Sequence, residues 1–106
     1  GGCGINVEVI NQEIEVANTK TTIQLIKESP EKLKNKTIIA INNHEALQVQ
    51  DIPASVEILE KIGERVRIYI PIDGTRSINF TTQFLPSYKD KCHQYFQDFL
   101  DQVLIN

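Results

Sequence analysis

Cysteine and histidine are the side chains with the widest chemical reach at neutral pH, and this chain has two of each: Cys3 and Cys92, His44 and His93. Two cysteines at opposite ends form no Cys-x-x-Cys pair and no zinc-ligand spacing. Cys92 falls on an apolar helical stripe, where cysteine behaves as a small hydrophobe and burial disfavours the thiolate. Inert core is the first reading for it; a disulfide to Cys3 and a reactive thiol are the alternatives. His44 sits in the turn Asn42-Asn43-His44-Glu45, where exposure is the default, and His93 lies one step off the helical stripe. A metal or catalytic role would need both, with a carboxylate, brought together from distant segments. Asp51 and Asp73 read as turn acids, and no two carboxylates are spaced to converge for acid–base work. The chain has no Gly-x-Ser-x-Gly, no glycine-rich phosphate loop and no His-Glu-x-x-His. The expectation is a non-enzymatic protein without cofactor or metal.

Binding is better represented than catalysis. Arg65, Arg67 and Tyr69 alternate along one strand face, with Arg76 across the following hairpin. Arginine and tyrosine are both enriched at interaction hot spots, so these four are the candidate partner-binding residues. A solvent-facing strand of good β-formers is the plainer alternative. Cys3 is the other candidate. The opening Gly-Gly-Cys-Gly resembles the start of a mature lipoprotein, with a small residue, a lipid-accepting cysteine and a short tether at the signal-peptide junction. That makes Cys3 the expected lipidation site; Gly1 and Gly2 could equally be a cloning scar.

Composition narrows the partners. The net charge is −3, and no Lys/Arg cluster is longer than two, which argues against docking on nucleic acid. The longest apolar run is Ile38-Ile39-Ala40-Ile41, far short of a membrane span. Membrane contact would come only through a lipid anchor. A chain of 106 residues with 41% hydrophobic residues has the size and composition of one globular domain, here residues 5–106 after a flexible 1–4 tether or scar.

Periodicity predicts the elements that would position these residues. Tyr88, Cys92, Tyr95, Phe96, Phe99, Leu100, Val103 and Leu104 recur at helical spacing and predict one amphipathic helix at the end of the chain. Ser87, with Asp90 three residues on, is its expected cap. Val66, Ile68, Ile70 and Ile72 alternate toward Asp73-Gly74, and Ile78, Phe80, Thr82 and Phe84 return, predicting a hairpin with positive φ at its tip. Ile5, Val7 and Val9 form an earlier strand, resumed at Ile14 and Val16; after a turn at Asn18-Thr19-Lys20, Thr21 to Ile26 reads as another strand. Ser29 caps a short helical turn begun by Pro30. Thr37 to Ile41 is apolar on both faces and reads as the central strand, returning through Asn42-Asn43 into Ala46 to Val49. Ser55 to Ile62 fits a strand or a two-turn helix; the strand is preferred.

The strand running into Asn42-Asn43-His44-Glu45-Ala46, the paired strands Arg65–Ile72 and Arg76–Leu85, and the proline-marked entry Leu85-Pro86-Ser87 to a last helix together resemble the PsbP-like superfamily. The resemblance covers roughly residues 37 to 106, in a chain shorter than typical members and with an early long helix missing or reduced. It implies a non-enzymatic accessory protein of the bacterial cell envelope, often lipid-tethered. The expected fold is α+β, a mainly antiparallel sheet with the last helix packed on one face. The expected function is a lipid-tethered envelope binding module with a protein partner. A soluble cytoplasmic adaptor or immunity-type module is the alternative.

Overall fold

Strict alternation around Ile68 and Ile70 buries both side chains completely, at 0% exposure, in the middle strand of a five-stranded sheet. A computed structural model describes residues 2–105, so Gly1 of the expected tether lies outside the described residues. Chain order is β1 (Ile5–Ile10), α1 (Glu13–Glu28), β2 (Lys36–Ile41), β3 (His44–Asp51), α2 (Val56–Ile62), β4 (Glu64–Pro71), β5 (Ser77–Phe84) and α3 (Lys89–Asp101). Short 3₁₀ turns occupy Pro30–Lys32 and Pro86–Tyr88. Every strand pairs antiparallel, in the order β1-β5-β4-β3-β2. The fold is α+β, with α3 on one face of the sheet.

Each face has its own core. Val66, Ile68, Ile70, Phe80 and Phe84 meet Cys92, Phe96 and Leu100 of α3. On that side the Phe99 ring meets Phe80 edge-on, with centroids 5.1 Å apart. Leu47 and Val49 on the opposite face meet Ile23 and Ile26 of α1, with Ile38 and Tyr69 packed alongside. Tyr88, Tyr95 and Leu104 of the predicted stripe are exposed instead. The helix stops at Asp101, so Leu104 leaves helical phase, while Val103 and Ile105 still pack on the core from an irregular tail.

Several expected elements change identity. Residues 13–28, expected as strand, turn and strand, form the single 16-residue helix α1. Its buried residues are Val16, Ile23 and Ile26, spaced seven and three apart as one helical face requires, whereas Ile14 is 70% exposed. Covering Leu47 and Val49 outweighs the β-propensity of those side chains. The Asn18 carbonyl, expected in a turn, accepts the Thr22 hydroxyl within the helix at 2.9 Å. Ser55 to Ile62 is also helix rather than the preferred strand. Ser55 Oγ accepts the Ile58 amide at 3.4 Å, and Gly63 ends α2 at φ +78°. No residue of α2 is buried, so caps rather than core contacts define it.

Thr37 to Ile41 lies in β2, at the sheet edge and not its centre. Both its faces are apolar because helices cover both sides of the sheet: Ile38 packs in the α1 core and Ile39 and Ile41 in the α3 core. Asn42 and Asn43 do take positive φ, 47° and 68°, in the β2–β3 turn. The expected side-chain caps are absent: neither Ser29 nor Ser87 caps its helix, and α3 begins after Tyr88 without one. Pro86 instead nucleates a 3₁₀ turn leading into α3.

The β4–β5 hairpin also closes differently. Neither Asp73 nor Gly74 has positive φ. The Asp73 carboxylate accepts the amides of Thr75 and Arg76 at 2.8 and 2.9 Å, and Arg76 Nε at 3.0 Å. Those bonds, led by the Thr75 amide, hold its carboxyl far below the usual aspartate range. A depressed folded-state pKa adds stability above the ordinary aspartate pKa near pH 4 and loses it as pH falls further. Asp73→Asn is therefore expected to be less stable than wild type at pH 7 and to lose less stability between about pH 4 and pH 2. Parallel pH–stability curves from urea melts would contradict this.

Docking of α3 gives a second expectation. Phe96→Ala should cost about 3–5 kcal/mol, and Tyr95→Ala one position away less than about 0.5 kcal/mol. Equal shifts in urea midpoint would contradict the packing.

Candidate functional site

A hollow of about 600 Å³ opens where β3 ends and β4 begins. Lys34 and Asn35 line it, with Gln50, Asp51, Ile52 and Pro53 from the end of β3 and Ile62, Gly63 and Arg65 from the α2–β4 junction; Gln83 closes it from β5. Pro53 interrupts strand pairing and turns the chain outward, while Gly63 reverses it. A Cβ on Gly63 would lie 2.0 Å from the Phe84 carbonyl oxygen, so only glycine permits the approach that forms this wall. Gln83 Nε2 ties the wall down by donating to the Ile62 carbonyl at 2.6 Å.

Asp51 organises the charge. Its Oδ2 accepts Arg67 at 2.8 Å and lies 3.4 Å from Arg65. One carboxylate thus orients two guanidiniums, and the cleft lining carries two cations, Lys34 and Arg65, to one anion. Ile52, Val56, Ile58 and Ile62 leave large apolar surfaces exposed around the mouth and on α2. Such a cleft can bind a carboxylate and an apolar side chain together.

Of the four expected binding residues, the structure keeps three together and gives them different surroundings. Arg65 lines the open cleft. Arg67 sits 5.8 Å above the Tyr69 ring, and Tyr69 packs against the α1 core, so these two are half covered. Arg76 is not part of the group: it belongs to the hairpin at the far end of β4 and pairs with its own Asp73 at 2.9 Å.

His93 and His44 stay apart, on α3 and at the start of β3. His93 instead approaches Glu64, a residue that sequence reasoning passed over. Glu64 is only 4% exposed, and its carboxylate accepts Gln50 Nε2 at 3.1 Å. Lys89 Nζ lies 3.5 Å and His93 Nε2 3.7 Å from it. A signal for its burial exists in the sequence, since Glu64 is in phase with the buried Val66, Ile68 and Ile70. The adjoining hollow of about 210 Å³ is lined by His93 itself together with Gln48, Gln50, Val66, Phe96, Gln97 and Leu100. The cluster reads as a buried carboxylate satisfied by its neighbours.

Cys3, expected as the lipid acceptor, is bonded through sulfur to Cys92, with Cα atoms 5.1 Å apart. One sulfur cannot form both a disulfide and a lipid thioether, so here Cys3 is a cross-link, and Cys92 is buried as half of it and not as a free thiol. Gly4 is held too, its carbonyl accepting the Thr82 hydroxyl at 2.9 Å. No helix of the structure is long and apolar enough to cross a membrane among the described residues.

These features define a disulfide-closed α+β domain with an open, partly cationic cleft. Comparison with protein-family models, curated proteins and solved structures gives no match.

The cross-link spans 89 residues of sequence, and closing so long a loop restricts the unfolded chain strongly. Cys3→Ser is expected to lower stability by roughly 2–5 kcal/mol. Urea melts with and without reductant check it: wild type should fall to the variant's midpoint on reduction, and a reductant-insensitive midpoint would contradict the cross-link.

Proposed function

We propose that this protein is a non-enzymatic accessory module of the cell envelope that holds a partner protein in the cleft beside Arg65. The observation that carries the reading is the cleft: Asp51 fixes Arg65 at a site also lined by Lys34, Ile52 and Ile62. Positive charge beside apolar surface favours a partner segment that pairs an acidic residue with a large apolar one. The Cys3–Cys92 bond supports an oxidising, extracytoplasmic compartment, because such bonds are rare where thiols are kept reduced. In this reading Cys3 serves as a cross-link in place of the expected lipid anchor. The PsbP-like resemblance supports the accessory role.

A photo-crosslinking residue at the exposed Ile62 is expected to capture one partner in stoichiometric yield, and one at Tyr95 on α3 is not. Arg65→Ala should weaken that complex at least tenfold, the size of one lost charged hydrogen bond of about 1.5–3 kcal/mol. Its melting temperature should stay near wild type, since its ion pair with Asp51 is exposed. Capture that is equal at both positions, or indifferent to Arg65→Ala, would refute the cleft as the binding site.

A further inference from the structure

β1 has a strand neighbour on one side only, β5. Its outer edge is lightly guarded against strand pairing: Ile5 to Ile10 carries one charge, Glu8, but no proline, lysine or arginine, and its register with β5 runs through all six residues without a bulge. The opposite edge differs, since β2 begins at Lys36, two residues after Lys34, and has α1 packed near it. Val7 and Val9, 54% and 57% exposed, share a face with Phe80 and Ile78, their partners on β5. The Cys3 cross-link and the Gly4–Thr82 hydrogen bond fix the start of β1. The edge is therefore preorganised, which lowers the entropy cost of pairing.

We propose that β1 is a self-association edge, and that two copies pair through it antiparallel about Val7 to form one ten-stranded sheet. Charge and pleat select the second copy and its register. A pairing centred on Val7 sets Val7 opposite Val7 and Ile5 opposite Val9, all on one face. On the other face it sets Glu8 of each copy opposite Asn6 of its mate. Centring on Glu8 would set two like charges opposite each other, which is destabilising. Centring between Val7 and Glu8 would pair residues of opposite faces and break the alternation. Centring on Asn6 would keep the faces but leave Val9 outside the apolar set. The Val7 register pairs Ile5, Val7 and Val9 with one another and opposes no like charges, as a self-complementary two-fold interface requires.

Sedimentation of the disulfide-intact protein across a concentration series tests this. The expected mass rises from 12.1 kDa toward twice that value. Asn6→Lys, which sets a lysine opposite Glu8 of the mate twice per dimer, should tighten dimerisation roughly 2- to 30-fold, and Asn6→Glu should weaken it by a similar factor. Val7→Lys, which sets two lysines face to face, should leave a monomer with an unchanged circular dichroism spectrum and melting temperature. A protein monomeric at every concentration, including one whose edge takes a strand from a different protein, would overturn the proposal. So would a dimer indifferent to the Asn6 and Val7 substitutions. The cleft beside Arg65 is lined by no residue of β1, and Arg65→Ala is expected to leave dimerisation unchanged.

Discussion

The structure depends on β4 being apolar on one face from Val66 to Ile70 and partly apolar on the other. Val66, Ile68 and Ile70 require a cover, which α3 supplies with Cys92, Phe96 and Leu100. Tyr69, with Leu47 and Val49 of β3, requires a second cover, and α1 supplies it with Ile23 and Ile26. A sheet packed on both faces has two cores, and each hydrophobic face fixes one helix in place. That requirement also makes the edge strand β2 apolar on both sides.

Covering both faces leaves the ends and edges of the sheet as the places where binding can occur. At the β3–β4 end, Pro53 and Gly63 divert the chain away from the sheet, and α2 forms in the diversion without burying any residue. Arg65 projects there because it is the first residue on the α1 face of β4, beyond the reach of α1. Asp51, its cross-strand partner in the β3–β4 register, orients both Arg65 and Arg67. Glu64, one residue earlier, falls on the α3 face and is buried there. It tolerates burial because Gln50, Lys89 and His93 surround its carboxylate. Neighbouring residues of one strand thus have opposite fates through pleat alone.

The strands of the last hairpin and the closing helix are legible in the sequence because their hydrophobic periods are long and unambiguous. The region from Ile14 to Ile26 is not, because its β-branched residues mimic alternation over two or three positions while burial follows helical spacing over the whole segment. The hairpin tip departs from expectation for a different reason: Asp73-Gly74 suits a positive-φ turn, but the Asp73 carboxylate closes the loop by accepting amides instead. At the candidate site, Arg65 is legible as a strand-face arginine, whereas Arg76 belongs to the hairpin at the far end of β4. Adjacency across a hairpin says nothing about which end of the strand a residue occupies.

The sequence by itself determined the α+β class, the apolar face of β4 and the amphipathic α3, since local period alone decides which side chains share a face. Tertiary structure decided which strand is central, that residues 13–28 coil as a helix, and that Cys3 meets Cys92. Each of those depends on contacts between segments far apart in the chain, where the free energy of covering a second apolar face outweighs any local preference.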